Sequence, residues 1–222
     1  MNARALGLVL LLLVVIPAAG HTEPLSENAT TDLLKKMTDS RAGIVGVRKD
    51  FVETKTSRLS VRPIQSKGTL FLAPPDRFRR EVAGSNPSIT ICNGETLWIF
   101  YPSFAEAEQY DLARQRKIRE GLSVLSATMN FVRLREDFQV SAEKGRDSWK
   151  LTLRPRNRAI QELFKQLVVE LDEDLRVTRT DFLSPNGDRT VTIFTDERSA
   201  PLPPETFDFQ PPAGVRVTRP LG

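Results

Sequence analysis

Apolar and polar positions change period several times along the chain, and the changes divide it into elements. From Ser26 to Arg41 the apolar residues Ala29, Leu33, Leu34 and Met37 fall at helical spacing, and Gly43 follows as a stop. Short alternating runs come next, predicting strands over Val45–Lys55, Lys67–Ala73, Arg77–Val82, Ser88–Cys92 and Thr96–Tyr101. Turn chemistry separates most of them. Pro74-Pro75-Asp76 suits a type I turn, and Asn93-Gly94 is a strong hairpin signal, so the strands on either side of these turns are antiparallel neighbours.

The period then returns to that of a helix. Between Gln115 and Arg135, Ile118, Leu122, Leu125, Met129 and Val132 recur three and four residues apart. Strand patterns resume at Phe138–Ala142, Trp149–Arg154, Leu167–Asp172, Leu175–Leu183 and Arg189–Thr195, with room for a short helix over Arg158–Gln166. The tail from Pro201 is proline-rich and extended, with Phe207 and Phe209 on one face. This order predicts an α+β fold: a single antiparallel sheet of about 10–11 strands, curled by its own length into an unclosed β-barrel, its hollow covered by two amphipathic helices. No repeat or linker divides residues 21–222, which are expected to form a single domain.

The first twenty residues lie outside that scheme. Arg4, the apolar run Leu6–Ile16 and the small residues Ala18, Ala19 and Gly20 have the layout of a secretory signal peptide. The run is about half the ~20 residues that a membrane span requires. No cysteine follows it to take a lipid anchor. The mature chain is therefore expected to be soluble and periplasmic, outside the cytoplasm. Its formal charge falls from +4 to +3 with the loss of Arg4. That small excess is spread along the chain and does not point to nucleic acid.

Few residues offer chemistry. The one histidine, His21, sits beside the expected cleavage point, and Cys92 is the one cysteine, so neither a nucleophilic triad nor a zinc or copper site is expected. There is no phosphate-binding glycine loop ending in Lys-Ser or Lys-Thr. Asp172-Glu173-Asp174 reads as a solvated hairpin turn, and Cys92, after Ile89 and Ile91, as a small buried hydrophobe. The expectation is a protein that is not an enzyme and holds no cofactor and no metal.

Strand and helix faces nominate the lining of the hollow. Leu70 and Leu72 share one face, Phe78 and Val82 another, followed by Ile89 and Ile91, then Leu97 and Ile99, with Leu122, Leu125 and Met129 from the central helix. Arg80 interrupts the apolar face between Phe78 and Val82, and an unpaired charge there would be costly. It is expected either to snorkel to the mouth or to act as a gate or headgroup contact.

Several segments together resemble the LolA family of periplasmic lipoprotein carriers. They are Phe51 in an F-x-x-x-K stretch, GTLFLAPPDRFR over Gly68–Arg79, NGETLW over Asn93–Trp98 followed by Tyr101-Pro102, and FDFQPPAGVRV over Phe207–Val217. The resemblance implies an unclosed barrel lidded by helices that binds the acyl chains of a lipoprotein or a related lipid. It also implies, as partners, an inner-membrane ATP-driven transporter and an outer-membrane receptor, with the chain acting as a monomer. Lipid-sensing or structural envelope proteins share this architecture, and they are the alternative. The family's gate arginine before the turn proline aligns with Pro74 here, and its tryptophan after F-R aligns with Arg80. Arg80 is thus a candidate substitute for the missing gate.

Overall fold

In the computed structural model, residues 22–60, 62–115, 118–119, 122, 131 and 134–220 are described. The expected leader over residues 1–20 and the helix residues Leu125 and Met129 lie outside them.

The described elements follow the expected order, and most of the helix expected between Gln115 and Arg135 lies outside them. Strand β1 (Glu23–Pro24) leads into helix α1 (Glu27–Ser40), then β2 (Val47–Thr56), β3 (Ile64–Ala73), β4 (Arg77–Ala83), β5 (Ser88–Cys92), β6 (Thr96–Tyr101) and β7 (Glu106–Asp111). After the central segment come a short helix α2 (Leu134–Asp137), β8 (Phe138–Lys144), β9 (Ser148–Pro155), the one-turn helix α3 (Arg158–Gln161), β10 (Gln166–Asp172), β11 (Val177–Leu183), β12 (Arg189–Ser199) and β13 (Arg216–Thr218).

All thirteen strands form one sheet in the order β1-β8-β9-β10-β11-β12-β2-β3-β4-β5-β6-β7-β13, and its two ends are not hydrogen-bonded to each other. The sheet is therefore an unclosed barrel. It exceeds the expected count through β1, β7 and β13, and it is mixed because β13 runs parallel to β7. Both turns join the strands expected to be antiparallel neighbours. Asn93 Oδ1 accepts from the amides of Glu95 and Thr96, and Pro74 and Pro75, joined by a cis peptide bond, carry β3 into β4.

The inner face carries two separate apolar clusters. In the first, α1 packs its stripe of Leu33, Leu34 and Met37 onto Phe138, Ala142, Leu151, Leu153, Leu167, Val169 and Leu171 of β8–β10. Ser26 caps this helix, its hydroxyl accepting from the Ala29 amide, which satisfies one of the free donors of the first turn. The second cluster joins Val47, Leu72, Phe78, Cys92 and Leu97 across β2–β6 with Leu112, and Ile118 and Leu122 pack against it.

The outer face of β3–β6 is covered too. Phe209 packs on Trp98 and Phe100 with ring centroids 5.4 Å apart in both cases, and Phe207 is buried beneath the Arg77 guanidinium. Arg79 donates to the Thr206 carbonyl, fastening the extended tail to β4.

Candidate functional site

Between the two clusters the inner face remains hollow. The cavity there measures about 500 Å³ and is bordered on one side by Phe51, Leu70, Leu72 and Phe78, on the other by Phe164, Leu167, Val177, Phe182 and Phe194. Both walls come from strand alternation. The pairings Phe51 with Phe194 and Leu72 with Phe78 place each partner on the same face as its neighbour. Gly68 lies between Phe51 and Val82 on that face. Any Cβ there would overlap the Glu81 carbonyl oxygen and come within 2.7 Å of the Phe51 ring, so glycine lets the ring lie against the strand.

Charged side chains also border the cavity, and each has a partner. Arg80 Nη2 is 2.8 Å from Glu53 Oε2, and its guanidinium lies 4.7 Å from the centre of the Phe51 ring. Thr192 donates a weaker hydrogen bond to the same carboxylate oxygen at 3.4 Å.

Deeper in, Lys49 is only 3% exposed and pairs with Glu197 at 2.7 Å, its ammonium 5.0 Å from the Phe194 ring centre. Burial pushes the Lys49 pKa below its ordinary value, against the opposing pull of Glu197. Glu197 reaches this position through a β-bulge: the register of β12 against β2 slips between Thr195 and Arg198, with Asp196 at φ 52°. Arg41, at the C-terminal cap of α1, donates to the Leu175 carbonyl at 3.3 Å and completes the charged set.

The nominated residues divide into four groups. Leu70, Leu72, Phe78 and Arg80 border the cavity. Leu97 belongs to the second cluster and Leu122 packs against it; Val82 and Ile99 share the inner face through their pairings with Gly68 and Thr90, away from the cavity wall. Leu125 and Met129 lie outside the described residues. Ile89 and Ile91 require a correction. They pair with Glu81 and Arg79 and with Phe100 and Trp98, which puts them on the outer face beneath the tail, while Thr90 and Cys92 point inward.

Arg80 has a partner that the expectation did not name. Its guanidinium pairs across β3 with Glu53 of β2, so the charge is neutralised within the wall. Missing from the nominations were the opposite wall and both acidic partners. The alternation of Leu167–Asp172 and of the run ending at Leu183 carried the signal for that wall. Nothing local marked Glu53 or Glu197.

The other candidates fall in ordinary places. Asp172 accepts from the Arg176 amide in the β10–β11 turn, and Asp174 pairs with Arg176. Cys92 is buried, and that burial raises its thiol pKa.

A curled, unclosed sheet with an apolar hollow on its inner face defines the class: an α+β unclosed barrel. Residues 43–210 match the family described as "Outer membrane lipoprotein carrier protein LolA", and the chain belongs to that family. A protein named outer-membrane lipoprotein carrier protein from Coxiella burnetii is 27% identical over 157 residues, covering 70% of this chain and 72% of its own. Another of the same name, from Chromobacterium violaceum, is 26% identical over 206 residues, covering 90% and 92%. Among solved structures, an uncharacterised conserved protein from Thermus thermophilus superposes with a TM-score of 0.52 at 11% identity, covering 86% of this chain and 98% of its own, which shows the fold alone. No helix among the described residues is long and apolar enough to cross a membrane.

Proposed function

We propose that the chain is a periplasmic carrier that takes the acyl chains of a lipoprotein, or of a related acylated lipid, into the cavity between β2–β4 and β10–β12. Residues 1–20 direct its export, and residues 21–222 form the carrier domain. The single observation that carries this reading is the apolar hollow of about 500 Å³, within the range of roughly 300–1,000 Å³ typical of ligand sites, in a chain of the carrier family.

The physical need is large. Each exposed CH₂ costs about 0.8 kcal/mol, so a chain of around sixteen carbons in water costs on the order of 10 kcal/mol. An escort therefore has to remove nearly the whole chain from water and later give it up. Loading energy has to come from outside, since the sequence carries no nucleotide-binding loop. An ATP-driven transporter of the inner membrane would supply it, and an outer-membrane receptor would accept the cargo. In this reading the Arg80–Glu53 pair is the gate: a headgroup that competes for Arg80 draws it off Glu53 and uncovers the inner face of β3 that the pair spans.

The test is extraction of the protein from a periplasmic fraction, mass spectrometry of bound acyl species, and transfer to acceptor membranes. Stoichiometric acyl species that move to the acceptor support the carrier reading. Acyl species that stay bound favour the lipid-sensing alternative, and an empty cavity overturns both. An Arg80→Leu variant should load and release with altered rates; unchanged rates remove the gate.

A further inference from the structure

The hairpin joining β2 to β3 combines two features that rarely coincide on a solvated loop. The stretch KTSRLSVRPIQSK, Lys55–Lys67, carries Lys55, Arg58, Arg62 and Lys67 and no acidic residue, and all four cations are exposed. At its tip Leu59 is 98% exposed, and Ile64 at the start of β3 is 61% exposed. Leu163, which borders the cavity, is also exposed, and its neighbour Lys165 donates its amide to Leu183 at the end of β11. The pairing of Arg189 with both Thr56 and Leu183 sets that strand end beside the hairpin. Apolar tip, cations and one rim of the cavity therefore share an end of the sheet.

The loop is held in place by its neighbours. The Arg58 amide donates to Asp188 Oδ1 at 3.3 Å, Leu59 and Ser60 donate their amides to Ser57, and Ser60 Oγ donates to the Arg62 carbonyl at 2.8 Å. Gly187 in the facing hairpin is at φ 90°, and a side chain there would come within 2.9 Å of the Arg58 stem. The acids near this end are engaged, Asp188 by the loop and Asp181 by Arg189. Leu59 thus stands at an exposed tip flanked by an excess of cations.

We propose that the β2–β3 hairpin docks on an anionic bilayer surface, with Leu59 and Ile64 entering the interfacial layer while Lys55, Arg58, Arg62 and Lys67 face lipid phosphates. The charge complementarity selects this occupant. A convex tip with a few apolar side chains offers no groove for a folded partner. It fits a surface whose outer layer is anionic and whose inner layer is apolar. Docking there would bring one rim of the cavity against the membrane. Only that last consequence rests on the carrier reading.

The experiment is co-sedimentation of the purified protein with vesicles of phosphatidylcholine alone or mixed with phosphatidylglycerol, at low and at raised salt. The mixed vesicles should pellet the protein at low salt, and raised salt should release it, since such attraction falls off within a Debye length. At about fivefold per surface cation, Arg62→Glu should weaken binding by more than tenfold, because a cation is lost and an anion gained. This variant leaves the Arg58 contacts untouched. Leu59→Asp should weaken it further, with the melting temperature of both variants unchanged.

Equal pelleting by both vesicle types, no pelleting by either, or variants that bind like the parent would each overturn the proposal. Bound acyl species are measured on the same preparation. Protein that carries lipid and ignores vesicles overturns the docking inference alone, and protein that docks while empty overturns the carrier reading alone.

Discussion

The two halves of the sheet obey the same alternation and end differently. Over β8–β10 the inward residues meet the apolar stripe of α1, and Leu33, Leu34 and Met37 are each no more than 2% exposed. Over β2–β4 and β12 the inward row is Phe51, Leu70, Leu72, Phe78 and Phe194 interspersed with Lys49, Glu53, Arg80 and Thr192. The filled half has paired apolar shapes, whereas the hollow half has charges that must keep their partners and so cannot collapse together. Whether a sheet face becomes core or cavity is decided here by a few long polar side chains more than by total hydrophobicity.

The sharpest way to break that contrast is to strip one partner from the buried pair. Lys49→Met leaves the Glu197 carboxylate buried without its counter-ion and should cost about 3 kcal/mol or more in denaturant unfolding. Lys49→Met combined with Glu197→Gln should recover most of the loss, and a double variant no better than the single would separate the two residues energetically.

Next in size is a matched pair of truncations. Leu34→Ala in the filled half should cost about 3 kcal/mol, whereas Leu70→Ala at the cavity wall should cost about 1 kcal/mol, because its neighbours already lack close packing on one side. Equal losses would mean that the hollow half is packed as tightly as the other.

The smallest effect is one of pH. The Tyr110 hydroxyl donates to Glu108 at 2.6 Å, and burial together with that carboxylate pushes its pKa up to about 12. Tyr101, the other of the two tyrosines, is raised as well, chiefly by burial. A phenol whose folded pKa is raised contributes stability that is complete below about pH 10 and is lost as pH climbs through the folded value. Phenolate absorbance in the native protein should therefore appear well above pH 10, with melting temperatures falling over the same interval. A midpoint near 10 for both tyrosines would remove this contribution.

The periodic parts of the fold were legible in sequence. Alternation located β5, β6 and β10 to within a residue, and the stripe in α1 announced both the helix and its buried face. By contrast β7 reads EAEQYD, and its tight packing rests on Ala107, so no hydrophobic run betrays it.

The site was legible only where faces were unambiguous. Leu70, Leu72 and Phe78 follow from alternation, but β5 offers Ile89 and Ile91 on one face and Cys92 on the other, and β6 is apolar on both. Which face turns inward depends on the Phe78–Cys92 register and on a tail more than a hundred residues away that covers the outer side. The pairs Arg80–Glu53 and Lys49–Glu197 join residues distant in sequence, and the second also needs a bulge that shifts β12 by one position. Local pattern carries no trace of such pairings.

A sheet that never closes must leave two lateral margins, and in this protein both are poor templates for another chain. One margin is β1, two residues long and ending in Pro24, which has no amide hydrogen to offer. The other is β13, three residues long and followed by Pro220, with Arg216 paired to Glu106 across it. Open barrels need such blunt margins, since long free edges invite strand-by-strand polymerisation. Short margins of this kind leave little strand edge on which a second chain could continue the sheet.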